Sequence, residues 1–215
     1  MNGRLKAVLG AVLLSGLTSA SAQSQELGVF ASGGVGGLRD VRRPVGAGVS
    51  GAWFFTDQIG LRVDAARSWA REHRTTLACR PGSGEPVICE SVELLSKSSY
   101  PLVDAALVVR QRVPATGVQF ELGAGPTNVA ITNEIVTTRD SVYSPRVRSS
   151  ANGYFLLAGM LIQPKWKLPI SFHGMYAYHK TSELDGCVGR LNEPLCSQRF
   201  HLHELRLSAV AALRR

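Results

Sequence analysis

Apolar and polar positions alternate one for one along most of this chain. Ile59, Leu61, Val63 and Ala65 are interleaved with Gly60, Arg62, Asp64 and Ala66. A period of two belongs to a strand, because successive side chains leave it on opposite faces. The same rhythm sets Leu27, Val29, Ala31 and Val35 against Glu26, Gly28, Ser32 and Gly34, and Val45, Ala47, Val49 and Trp53 against Gly46, Gly48, Ser50 and Ala52. It returns at Val103 to Arg110, Val118 to Gly125, Ile170 to His179 and Glu204 to Leu213. Tyr154 to Ile162 is apolar at both parities, so its facing stays open. Eight strands are predicted.

The links between them alternate in length. Phe55–Gln58, Val113–Gly117 and Gln163–Pro169 are short, whereas Gly37–Pro44, Ser68–Ser99, Thr132–Ser150 and Lys180–Ser197 are long. An antiparallel sheet with a turn end and a loop end produces this order. The expected fold is all-β, an eight-stranded antiparallel up-and-down barrel. Folding the Val113–Gly117 turn about its centre sets Arg110 opposite Glu121, within reach of a cross-strand ion pair.

The residues on the polar side decide which face meets water. A soluble barrel around an apolar ligand needs Lys, Glu, Thr and Gln outside. Here Gly, Ala and Ser predominate with a few charges among them, and small residues suit a narrow interior. The apolar side continues for about the 9–11 residues with which a tilted strand crosses hydrocarbon. Trp53, Phe55 and Trp166 stand by the short turns, and Trp69, Tyr176 and Tyr178 toward the long links. Two such belts are where rings sit at two bilayer interfaces. The expected lumen therefore holds Arg62, Asp64, Asp104, Arg110, Glu121, His173, Glu204 and Arg206. Its three arginines nearly cancel its four carboxylates, as a confined interior requires.

Composition adds an address. Arg4 and Lys6 precede the apolar run Ala7–Leu17, and Ala20, Ser21 and Ala22 follow as a small-residue cleavage site. This is the pattern of a secretory signal peptide over residues 1–22, with the barrel domain over 23–215. The 24 basic and 16 acidic residues of the chain then leave a mature excess of six positive charges, which suits an anionic partner. No uncharged apolar run reaches the ~18 residues of a transmembrane helix. Cys79 and Cys89 form one close pair, Cys187 and Cys196 another. In an exported chain without a C-x-x-C unit, two local disulfides are expected rather than zinc.

The leader, the eight amphipathic strands, the unequal links and phrases such as "FFTDQIGLRVDA" (Phe54 to Ala65) and "FELGAGP" (Phe120 to Pro126) resemble the small OmpA/OmpX-type outer-membrane β-barrels. The resemblance covers the whole mature chain. It implies the outer membrane of a Gram-negative bacterium, with termini and short turns in the periplasm and long loops outside. It also implies outer-membrane lipids and the barrel assembly machinery as partners. To that machinery the last strand would present Leu213, where such barrels usually carry an aromatic residue. A monomer is expected.

No catalytic, cofactor or metal site is expected. "YHKTSE" (Tyr178 to Glu183) sets His179 near Thr181 and Ser182. Lipid A deacylases of this barrel class carry His-x-Ser, but Thr181 fills the serine position, so the stretch reads as a polar loop junction. In "FHLHE" (Phe200 to Glu204), His201 and His203 share one face while Glu204 leaves on the other, giving two imidazoles and no third ligand. "SGGVGG" (Ser32 to Gly37) has no helix after it and is not a phosphate cradle. No nucleic-acid motif is present. Arg39, Arg42, Arg43, Arg74, Arg146 and Arg148 stand in the outer links, and guanidinium groups match phosphate. The expected role is structural or surface contact, with lipopolysaccharide head groups as the anionic partner. A narrow gated channel, a lipid-modifying enzyme and a soluble periplasmic barrel binding an apolar ligand are the alternatives.

Overall fold

A computed structural model describes residues 24–37, 43–80, 88–137, 147–164, 169–183 and 199–213. Eight strands follow one another: β1 (Ser24–Gly37), β2 (Val45–Phe54), β3 (Ile59–Arg80), β4 (Ile88–Arg112), β5 (Val118–Thr137), β6 (Val147–Ile162), β7 (Ile170–Glu183) and β8 (Arg199–Leu213). Each pairs with its neighbour in sequence, and β1 pairs with β8, so the sheet closes into a barrel. All eight pairings are antiparallel. Closure leaves the barrel wall without an open edge.

Local chemistry explains two short turns at one end. After β2, the Thr56 hydroxyl accepts hydrogen bonds from the backbone N–H of Gln58 at 3.2 Å and of Ile59 at 2.9 Å. After β4, Ala115 and Gly117 take positive φ values of 65° and 72°. There the Thr116 hydroxyl donates to the Val113 carbonyl at 3.0 Å, and the Val113 N–H donates to the Val118 carbonyl at 2.9 Å.

Two of the long links are shorter than the alternation predicts. Ser68 to Ser99 is largely a ribbon in which β3 and β4 continue together from Ala70↔Ser98 to Arg80↔Ile88. Arg71, Glu72, His73, Arg74 and Thr75 are polar at both parities, which erases the period of two that marks a strand. Arg74 therefore lies on β3 rather than in a loop. Cys79 and Cys89 are register partners near the far end of this ribbon. β5 extends alongside as far as Thr137, opposite Leu94, while the last register partner that β2 gives β3 is Val45, opposite Trp69. Arg148 likewise stands on β6, within the expected third loop. Residues 1–22, Arg39, Arg42, Arg146, Trp166, Cys187 and Cys196 lie outside the described residues.

The strands approach one another closely where glycine allows it. A Cβ at Gly125 on β5 would overlap the Ala105 carbonyl oxygen and stand 2.8 Å from the Ala106 Cα, both backbone atoms of β4. At Gly174 on β7 the nearest atom is the Leu207 Cδ2 at 3.8 Å, an ordinary contact. Gly125→Ala is accordingly expected to destabilise the barrel by about 2 kcal/mol, the usual scale of overpacking. Gly174→Ala should be nearly neutral. Urea unfolding of both variants in lipid vesicles checks the difference.

Candidate functional site

Burial is inverted between the two faces of the wall. Leu207, Leu205 and Leu122 point outward with 73%, 66% and 63% of their surfaces exposed, whereas Arg206, Glu204 and Asp104 point inward at 1% each. Exposed aliphatic side chains continue over β1 to β5, among them Val29, Val49, Leu61 and Leu107. Tyr154 to Ile162 also takes a definite facing. Phe155, Leu157 and Leu161 turn inward, while Tyr154, Leu156, Met160 and Ile162 turn outward. A surface of this kind is compatible with hydrocarbon and is not the outside of a soluble barrel.

All eight expected lumen residues are buried and joined in one network. Arg206, on β8, reaches Asp64 at 2.9 Å, Asp104 at 3.0 Å and Glu204 at 2.8 Å. Arg62 binds Asp64 at 2.9 Å and Glu121 at 3.2 Å, and it meets the His173 Nδ1 at 3.2 Å. Arg110 donates to Glu121 at 2.7 Å, the pair read from the turn's symmetry. The network thus runs from mid-barrel toward the turn end, with each guanidinium shared between carboxylates. Fork geometry suits this sharing, because a guanidinium presents five donors in one plane.

Two members go beyond the expected set. Glu26 on β1 takes both ends of the Arg110 fork, at 2.6 and 2.8 Å. His179 on β7 is fully buried, not a polar loop junction. Its Nδ1 lies 3.4 Å from Asp104, its Nε2 3.6 Å from Glu204, and its ring stacks on Phe155 at 5.5 Å. Parity marks both residues in the sequence, since Glu26 alternates with Leu27 and His179 with Tyr178. With Glu26 the network holds five carboxylates against three arginines. Hydroxyls fill remaining acceptor sites. Ser32 and Ser68 donate to Glu204 at 3.2 and 2.9 Å, and Thr127 donates to Asp104 at 2.6 Å. Aromatic rings cover two guanidiniums, Phe54 under Arg110 at 3.9 Å and Phe30 under Arg206 at 4.9 Å.

Apolar side chains occupy the lumen beyond the charges. Toward the loop end, Ala70, Tyr100, Leu102, Val129, Ile131, Ala151, Phe200 and Leu202 form one buried cluster, with the Tyr100 and Phe200 rings 5.2 Å apart. A second cluster around Phe54, Val108, Phe155 and Leu157 lies toward the turn end. Side chains therefore fill the tube, as expected for eight strands.

The remaining candidates separate by face. His179 and Thr181 point into the lumen, whereas Ser182 points outward and donates to the Asn152 carbonyl at 2.9 Å. Histidine and serine thus stand on opposite sides of the wall and do not form a nucleophile–base pair. His201 and His203 lie on the outer face with tyrosine partners. Tyr176 hydrogen-bonds His203 at 2.5 Å, and Tyr178 hydrogen-bonds His201 at 3.2 Å. Among the described residues, no group of three or more His, Cys, Asp or Glu is placed to hold a metal. Trp69 is exposed toward the loop end, whereas Tyr176 is exposed near the middle of the wall, on the row of Ala158 and Leu205. Trp53 and Tyr178 are half-buried. Phe55 is exposed at the turn end together with Phe120 and Phe172, and Tyr154 is exposed toward the loop end. Arg67 also points outward there, donating to Ser99 at 2.9 Å with its guanidinium 5.7 Å over the Trp69 ring. Long basic side chains reach the polar boundary in this way. Arg43 is exposed at the start of β2.

The sequence matches no protein-family model and no curated relative. Solved structures share the fold. Ail of Yersinia pestis, in complex with the heparin analogue sucrose octasulfate, is 13% identical with a TM-score of 0.51, over 89% of this chain and 99% of that one. The outer membrane protein OprG of Pseudomonas aeruginosa is 11% identical with a TM-score of 0.52, over 91% and 99%. A major outer membrane protein of Thermus thermophilus is 12% identical with a TM-score of 0.51, over 88% and 99%. The chain has the fold of the small outer-membrane β-barrels. With its apolar band outward and its charges within, this barrel is built for the outer membrane.

Proposed function

We propose that the chain is an integral outer-membrane barrel with a structural and surface-contact role. The outward apolar band wrapped around a filled, ion-paired lumen carries this reading. Such a tube anchors and displays, and the part displayed is the β3–β4 ribbon. A disulfide between Cys79 and Cys89 would clip the ribbon near its tip. The basic residues of the outer rim, Arg43 and Arg74 among them, supply contacts for phosphorylated lipopolysaccharide head groups. Ail, one of the proteins sharing the fold, was solved with a heparin analogue, which is also a polyanion.

Cell fractionation with gel mobility tests the reading. The protein should remain with outer membranes after osmotic shock. Its band should migrate faster unheated than boiled, because folded membrane barrels resist detergent until heated. Release by osmotic shock without detergent would refute the membrane placement and favour a soluble barrel.

A further inference from the structure

At the loop end of the β6–β7–β8 face, two hollows lie one above the other on the outside of the wall. The upper, of about 640 Å³, is lined by Asn152, Tyr154, Lys180, Ser182 and Arg199. The lower, of about 300 Å³, is lined by Leu156, Ala158, Tyr176, Tyr178 and His203. Register stacks them. Tyr154, Lys180 and His201 form one row across the three strands, with Leu156, Tyr178 and His203 in the next outward row below. Ala158, Tyr176 and Leu205 form the row below that, where the band becomes wholly apolar apart from the tyrosine hydroxyl.

Charge and polarity change sharply across those rows. The upper hollow carries two cations, Lys180 and Arg199. Glu183 is the register partner of Arg199 across a bulge in the β7–β8 pairing. The Tyr178 and Tyr176 hydroxyls engage His201 and His203, and the Tyr178 ring lies 4.7 Å from that of His203. These contacts hold the aromatic floor in place. The lower hollow offers an alkyl chain aliphatic and aromatic contacts and few polar ones.

We propose that the double hollow binds one anionic lipid of the surrounding outer leaflet. Its phosphate lies between Lys180 and Arg199, and an acyl chain runs down over Leu156 and Ala158 against Tyr176. The proposal rests on the membrane placement above and assigns the lipid to this strand face rather than to the loops. A soluble phosphate would use the upper hollow alone. The stacking of a cationic hollow directly over an apolar one therefore points to an amphiphile.

Native mass spectrometry of the purified barrel in detergent tests this, with diphosphorylated lipid A, dephosphorylated lipid A and inorganic phosphate as probes. Diphosphorylated lipid A should stay bound. Removing its phosphates, or combining Lys180→Gln with Arg199→Gln, should weaken binding about tenfold or more, the loss of one strong contact. Ala158→Trp, which fills the lower hollow and leaves both cations in place, should weaken it as well. Arg112→Ala, at the exposed turn end of β4, should leave it unchanged. Equal binding of the dephosphorylated lipid would overturn the proposal, as would an Arg112→Ala effect matching that of the double variant. Full displacement by inorganic phosphate would show a head-group site only and would also overturn it. Heat-dependent mobility of each variant reports folding separately, so a failure here is distinguishable from a failure of the membrane placement.

Discussion

Arg206→Leu is expected to lower barrel stability by about 3–5 kcal/mol, the scale of breaking a buried ion pair from one side. The Arg206 guanidinium contacts Asp64, Asp104 and Glu204 within 3.0 Å, and its side chain has no exposed surface. Leucine would leave these carboxylates with fewer donors in a space closed by Tyr100 and Phe200 toward the loops. The loss comes mainly from unpaired acids rather than from missing attraction, so neutralising them should compensate. Adding Asp104→Asn and Glu204→Gln to Arg206→Leu is expected to recover part of the stability. Urea unfolding in lipid vesicles, followed by tryptophan fluorescence and gel mobility, measures both steps. Unchanged stability of the single variant would mean that the lumen is open to water at this depth.

The adjacent position should respond to the opposite change. Leu207→Arg is expected to cost about 2–4 kcal/mol, as a cation costs on the lipid face near the bilayer midplane. Leu207 stands opposite Ala31 and Gly174 in the middle of the wall, and 73% of its surface is exposed. On a soluble barrel, an exposed leucine exchanged for arginine would be nearly neutral. The same unfolding measurement on Leu207→Arg therefore separates the two environments, with a neutral result counting against hydrocarbon around β8. Two neighbouring residues that each reject the other's chemistry define the orientation of the strand more tightly than either does alone.

Parity along the chain made most of this legible. Leu205, Leu207 and Ala209 alternate with Glu204, Arg206 and Ser208, and the structure assigns each to the expected side. Arg110 and Glu121 could be paired because a five-residue turn fixes the register on both sides of it. Other features were hidden for identifiable reasons. Tyr154 to Ile162 is apolar throughout, so its facing depended on which residues of β5 and β7 lay beside it. The β3 arm of the ribbon, Arg71 to Thr76, is polar at both parities, so the period of two that marks a strand is absent there. Shared guanidiniums such as that of Arg206 join β3, β4 and β8, contacts that only barrel closure creates. The double hollow on β6–β8 depends equally on the register of three strands and on the bulge beside Arg199.

The β3–β4 ribbon also sets a distance. From Trp69 to Arg80 it adds eleven residue steps beyond the aromatic belt, roughly 35 Å at a strand's rise per residue. A molecule gripped at its tip would be held well clear of the bilayer surface, and the anchoring cylinder below could diffuse laterally while keeping its hold.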